Sequence, residues 1–317
     1  MSAVLDRPLT VSETPPRRRH SKRARRESLA FYGFISPWII GFLVFTAIPM
    51  AASLWYSFTD WDLFQPAKFI GIDNYKTIFT GEPLFWKALW HTFYFAMVSV
   101  PLSLLIALLL ANLLAKPMRG AKAFRTIIYL PSLVPLVAAA MIFRWLLAPD
   151  TGPINRALGL FGIQGPAWLL DENWVIPAII LLGVWQVGQG TILLIAAIQG
   201  VPGELVEAAR LDGASRTQVF WHLTVPLVTP ILFFNLITGI IAGFQVFSQV
   251  FVLTDGTSGP DNASLMLVPY IYQEAFRNYN MGYASALSWV LFALIVVLSL
   301  VVMRSSRAWV FYETEVD

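Results

Sequence analysis

The 317-residue sequence contains no cysteine. Disulfides, thiolate metal sites and cysteine nucleophiles are excluded together, and the redox compartment leaves no trace. Charge is scarce too: Asp, Glu, Lys and Arg make up 13% of the residues against 57% hydrophobic, far from the usage of soluble domains. The three histidines, His20, His91 and His222, are scattered without metal-ligand spacing. A membrane-embedded enzyme needs His, Asp or Glu clustered at the ends of its apolar segments, and none is evident. Nor is there a GxxxxGK[ST] loop to cradle the phosphates of a nucleotide.

What the sequence has instead is long runs almost free of charge. A helix of about 20 apolar residues crosses a bilayer. Six runs qualify, at about 28–59, 88–115, 126–147, 173–200, 223–254 and 278–303, the third with Arg144 at its edge. The expectation is an all-α integral membrane protein with six transmembrane helices. Pro131 and Pro135 place a kink in the third span. Residues 1–27, rich in Pro, Ser, Thr and Arg, form a flexible basic tail, and residues 28–317 a single membrane domain. The first apolar run is too long for a signal-peptide core and lacks a small-residue cleavage site, so it is expected to be retained.

With the N-terminus inside, sixteen Lys and Arg fall on the inner side of the six spans and six on the outer, the sense demanded by the positive-inside rule. Both termini and the loop 201–222 are then cytoplasmic. The cluster PRRRHSKRARRE reads as a topology anchor rather than a nucleic-acid site. The outer stretch FIGIDNYKTIF is expected to pack on the bundle surface, where Asp60, Asp62 and Asp73 are solvated or meet a partner. Trp168 and Trp174 suit an interfacial belt.

The cytoplasmic loop EAARLDGASRTQVFWHLTVPL is punctuated as structure. Pro202 can open a helix, Glu204 and Glu207 lie near its positive end, and Gly213 can take the left-handed conformation that closes it. The spacing predicts a short helix over 202–212, a tight turn, and a second helix opening near Ser215 and running through Pro226 into span five. Leu205, Ala208 and Ala209 share one face, which another backbone can approach closely. The competing reading is an amphipathic linker on lipid headgroups, against which stand the acids on its polar face.

Ion-coupled carriers place acids or bases within the membrane, and no span interior here holds one. This disfavours an ion-coupled secondary carrier of a neutral polar solute, the alternative function. The interiors carry amides beside aromatics: Trp185, Gln186 and Gln189 in span four, Asn235, Phe244, Gln245 and Gln249 in span five. Amides three and four residues apart are expected to share a helix face. As donors and acceptors they suit sugar hydroxyls, and the aromatic faces suit a pyranose. The alternative is that they bond helix to helix.

The order EAA, LDGA and the proline of LTVPL resembles the cytoplasmic signature of inner-membrane permease subunits of binding-protein-dependent ABC importers. FIGIDNYKTIF, RTIIYLPSLVP, WLLAPDTGPIN and FQVFSQVFVLTDG are similar to the sugar-permease branch, the maltose and glycerol-phosphate relatives. The resemblance covers nearly everything after the basic tail. It departs at LTDGTSGP, where many relatives have LT followed by GGP and this chain has an insertion around Thr257 and Ser258.

The resemblance implies a type I ABC importer permease fold, MetI-like, in the inner or plasma membrane of a bacterium or archaeon. It implies that Glu207, Ala208, Ala209, Asp212, Gly213 and Ala214 form a coupling surface docked in a groove of an ATPase subunit. The chain itself then needs no cofactor, ATP and Mg²⁺ being bound by the partner ATPase dimer. The other implied partners are a second homologous permease, an extracytoplasmic solute-binding protein, a sugar and the lipid membrane. Spans four and five would line the path. Two positions that touch sugar in the maltose relative align with Gly239 and Gly243, so either the partner permease holds more of the site or this subunit leaves room for a larger ligand.

Overall fold

The computed structural model describes residues 22–116 and 118–311. Of the basic tail expected over 1–27, residues 1–21 lie outside the described residues. The chain divides into two compact units at Ser53.

Among the described residues four helices are long and apolar enough to cross a membrane: α1 (Leu29–Tyr56), α2 (Pro83–Ala115), α9 (Arg216–Phe244) and α12 (Met281–Trp309). Two bent pairs bring the number to six if each is one span. These are α3 (Ala121–Leu133) with α4 (Leu136–Leu146), bent by 98°, and α6 (Val175–Trp185) with α7 (Gly188–Gln199), bent by 46°. The shorter helices are α5 (Pro153–Leu160), α8 (Gly203–Leu211), α10 (Ser248–Leu253) and α11 (Leu267–Tyr272).

Prolines explain much of the local irregularity. A proline has no N–H, and its ring crowds the carbonyl four residues earlier. Three times a π-helical turn ends two residues before one: Leu43–Ala47 before Pro49, Thr77–Gly81 before Pro83, and Phe220–Thr224 before Pro226. Widening the turn accommodates the ring while Ile48 and Val225 donate five residues back. The kink expected in the third span is a full break at Val134 and Pro135.

Three expectations need correction. The chain is not wholly helical: Thr59–Asp60 (β1) pairs antiparallel with Lys68–Phe69 (β2), Thr59 opposite Phe69. Span four, expected as one helix over 173–200, breaks at Gln186 and Val187. Span five, expected over 223–254, stops at Phe244 and resumes as α10 at Ser248. Packing decides the last of these. Val246 and Val250 are buried in one cluster, and Phe247 turns aside to meet the rings of Phe251 and Tyr272 at 5.2 Å each.

The FIGIDNYKTIF segment does pack on the bundle. Ile78 is fully buried, and buried Asn74 donates from Nδ2 to Ser57 O and Thr59 O, both at 2.9 Å. Gly282, at the start of α12, lets that helix lie against β1, because a Cβ there would collide with the Thr59 carbonyl. The loop after α10 is built of left-handed residues, with Asp255, Gly256, Ser258, Gly259, Asp261 and Asn262 all at positive φ. It is tied down by ion pairs from Arg144 to Asp255 and from Lys87 to Asp261.

α2 is the spine of the core. Phe95 joins a cluster with Phe143, Ile179 and Val250; Ala96 and Val100 join one with Phe244, Tyr270 and Leu287; Ala107 and Ala111 join a third with Leu194, Phe220 and Leu232.

Candidate functional site

Against α2, the helices α7 and α9 leave a cavity of about 580 Å³. Its walls come from α2 (Ser99, Ser103), the α6–α7 break (Gln186, Gln189), α9 (Asn235, Thr238) and α10 (Gln249), with Phe95 and Phe234 among the apolar lining. No charged side chain lines it. The volume is within the range of small-ligand pockets.

The amides divide by what they already bond. Gln186 Nε2 donates to Val134 O at 3.3 Å, a carbonyl left without a helical donor where Pro135 breaks the neighbouring span, and to Pro131 O at 3.5 Å, which also accepts from the Val134 N–H at 3.1 Å. Ser132 completes the junction: its Oγ donates to Gln186 O at 3.3 Å and accepts from the Gln189 N–H at 3.1 Å. Gly188 sits at this crossing, where a Cβ would meet the Ile128 carbonyl and stand 2.8 Å from Tyr129 Cα. The two breaks therefore hold one another, and for Gln186 the helix-to-helix reading describes what the side chain does. Asn235 donates to Ile231 O at 3.0 Å and Thr238 to Phe234 O at 2.8 Å, each within α9.

Gln249 and Ser99 differ. Each is more than nine-tenths buried, lines the cavity and makes no side-chain hydrogen bond among the described residues. Their polar atoms are not sealed off by packing, so both are free to meet a ligand or water inside the cavity. The exposed amide of Gln189 on the cavity wall is likewise unbonded.

The structure brings Gln186, Gln189, Asn235, Gly239, Gly243 and Gln249 to this cavity. It does not bring Trp185, Phe244 or Gln245 there. Trp185 packs on Phe143 at 5.4 Å between ring centres, Phe244 is fully buried in the second cluster, and Gln245 is exposed elsewhere. The expected shared helix faces fail for both amide pairs, because a helix break separates Gln186 from Gln189 and Gln245 from Gln249. Gly239 and Gly243 have a packing reason as well: a Cβ on the first would lie 2.9 Å from Val100 Cγ1, on the second 3.2 Å from Ala96 Cβ. Small residues four apart let α9 approach α2. Sequence reasoning missed Ser99 and Ser103, whose i, i+4 spacing along α2 was the available signal.

The second candidate surface is α8. It begins at Gly203 after Pro202 and ends in a Schellman turn: Gly213 N–H donates to Arg210 O at 3.1 Å and Ala214 N–H to Ala209 O at 2.9 Å, with Gly213 at φ +87°. A capping box follows at once, Gln218 N–H to Ser215 Oγ at 3.3 Å and Ser215 N–H to Gln218 Oε1 at 2.8 Å. No residue of α8 is buried; Glu207, Ala208, Asp212 and Gly213 are exposed, Ala209 and Ala214 half-buried, and Leu211 is 89% exposed. A nine-residue helix with an uncovered apolar face has little to hold it in water, yet the turn is locked on both sides.

An uncharged cavity walled by membrane-length helices, with an exposed helix between two of its walls, defines the class of polytopic membrane permeases. Residues 99–310 match the family described as the binding-protein-dependent transport system inner membrane component, and the chain belongs to that family. It is 40% identical over 93% of its length to the probable ABC transporter permease protein YesP of Bacillus subtilis, covering 96% of that protein. It is 35% identical over 86% of its length to the lactose transport system permease protein LacF of Rhizobium radiobacter, covering 93% of it. Its fold is that of a chain in a bacterial alginate ABC transporter crystallised with an alginate pentasaccharide-bound periplasmic protein. The TM-score is 0.80 at 24% identity, over 92% of this chain and 98% of that one. The chain is thus a multi-pass membrane protein with the type I, MetI-like permease fold.

Proposed function

We propose that this chain is one of two membrane-spanning subunits of an ATP-driven importer, and that it admits a carbohydrate delivered by an extracytoplasmic binding protein. One observation carries the reading: α8 joins α7 to α9, and both of those helices wall the cavity. A force applied to α8 therefore reaches the two walls directly, and the doubly locked turn prevents it from being absorbed in a floppy loop. Glu207 offers a charge to the ATPase groove, Ala208 and Ala209 a close approach, and Asp212, Gly213 and Ala214 the rigid exit. ATP and Mg²⁺ belong to the ATPase dimer.

If α1, α2, the α3–α4 pair, the α6–α7 pair, α9 and α12 each cross once, both termini and α8 share one side of the membrane, and the proposal assigns that side to the cytoplasm of a bacterial cell. The excess of inner Lys and Arg supports that orientation. A neutral cavity with free amide and hydroxyl groups suits a neutral saccharide, and relatives named for lactose and arabinooligosaccharide transport support the class.

The test is uptake of labelled mono-, di- and trisaccharides, polyols and glycerol phosphates by cells with and without this chain. Loss of uptake of one saccharide on its removal is the expected result. Uptake restricted to amino acids or peptides would overturn the carbohydrate reading, and uptake that survives ATP depletion would overturn the energy source.

A further inference from the structure

Where α2 ends and α3 begins, a crevice of about 540 Å³ opens beside the last turn of α7. Lys116, Lys122 and Arg125 line it with Met118 and Gln199, and no carboxylate does. Arg125 is fixed: its Nε and Nη2 donate to Leu114 O at 3.2 and 2.6 Å. Gln199 Nε2 donates to Ala115 O at 3.1 Å, so both side chains satisfy carbonyls that the end of α2 leaves orphaned. Among the described residues Nη1 of Arg125 has no partner, and the exposed Lys116 and Lys122 form no ion pair. Three cations thus line one crevice with no counter-ion among the described residues, one of them already held in place.

The surroundings identify the anion. Leu113, Met118 and Phe124, next to these cations in sequence, are 58%, 43% and 50% exposed. Apolar surface continuing from a cationic crevice at the end of a membrane-length helix matches a molecule with a phosphate head and an acyl tail. Basic pockets between transmembrane helices take such heads. We propose that this crevice binds the phosphate group of an anionic phospholipid. Charges that served topology alone would need neither a cavity nor a guanidinium pinned at its edge. Gln199 lies four residues before α8, so an occupied crevice braces the helix that feeds the coupling loop.

The full chain, purified in detergent, is titrated with phosphatidylglycerol, phosphatidylcholine or inorganic phosphate, and bound adducts are read by native mass spectrometry. Phosphatidylglycerol is retained over phosphatidylcholine. Lys116→Gln with Lys122→Gln lowers its affinity roughly thirtyfold, each cation at an anionic surface being worth about a factor of five. Arg119→Gln, an exposed charge that does not line the crevice, leaves the affinity unchanged. Equal phosphatidylglycerol retention in the wild type and the double variant overturns the site. A loss with Arg119→Gln as large as with Lys122→Gln reduces it to bulk charge and overturns it too. Binding of inorganic phosphate without phosphatidylglycerol overturns the lipid source in favour of a soluble phosphate.

Discussion

Ala214 donates its N–H to the carbonyl of Ala209 at 2.9 Å, closing α8 over Gly213 in the left-handed conformation. A proline at 213 has neither the φ nor the N–H that Arg210 O receives. Gly213→Pro is therefore expected to abolish uptake while the protein remains in the membrane at normal abundance. Gly213→Ala strains the same turn by about 1–2 kcal/mol and should reduce uptake only in part. Immunoblots of membrane fractions beside uptake assays separate coupling from folding, and normal transport by Gly213→Pro would remove the mechanical role given to this turn.

Glu207→Lys leaves α8 folded, since the side chain is exposed and unbonded among the described residues, but reverses the charge offered to the proposed ATPase partner. Loss of saccharide-stimulated ATP hydrolysis in the reconstituted complex is expected, with the thermal midpoint of the chain unchanged.

Gln249 and Gln186 separate ligand contact from architecture. Gln249→Leu removes an amide that bonds nothing in the protein, and uptake should show a KM raised roughly three- to tenfold with stability retained. Gln186→Leu strips a donor from Val134 O and should cost about 1–3 kcal/mol of stability. Thermal unfolding in detergent and saccharide uptake on both variants distinguish the two outcomes; a stable Gln186→Leu protein would dissociate the two helix breaks.

The glycines rank by what they face. At Gly188 a Cβ meets the backbone of α3 at the Ile128 carbonyl, whereas at Gly239 it meets only side-chain atoms of Val100, the nearest at 2.9 Å. Gly188→Ala is expected to lower the thermal midpoint by the equivalent of about 1–3 kcal/mol, and Gly239→Ala by clearly less.

Lys87 donates to the Asp261 carboxylate at 2.9 Å and holds its pKa below the usual carboxylate value. A lowered folded-state pKa means that the pair's contribution is complete at neutral pH and is lost as pH falls from the ordinary Asp range through the lowered value. Wild type and Asp261→Asn should therefore differ in thermal midpoint at neutral pH and converge in acid. The pair is exposed, so the neutral-pH difference should be small and should shrink in about 1 M salt.

The helical punctuation of α8 was legible because its signals are local. Pro202, Gly213 and Ser215 act within four or five residues of themselves, and the structure places the helix within a residue at each end of the expected range. The break in span three was legible for the same reason, through Pro135. The breaks at Gln186 and after Phe244 have no proline of their own. The first is held by Ser132 and the carbonyls of another span, the second by burial of Val246 and Val250. Since amide spacing implies a shared face only on an unbroken helix, the pairings of Gln186 with Gln189 and Gln245 with Gln249 failed with the helices that carried them.

Composition and charge alone therefore determined a polytopic helical protein, its expected orientation, and a short capped helix in the loop expected to face the cytoplasm. All of these follow from hydropathy, from the asymmetry of Lys and Arg, and from caps that act over a single turn. Which polar groups stand free, and where, only the tertiary structure decided. An amide such as Gln186 or Gln249 is spent or available according to the carbonyl that packing brings beside it, and that neighbour lies more than 50 residues away for one and is missing for the other.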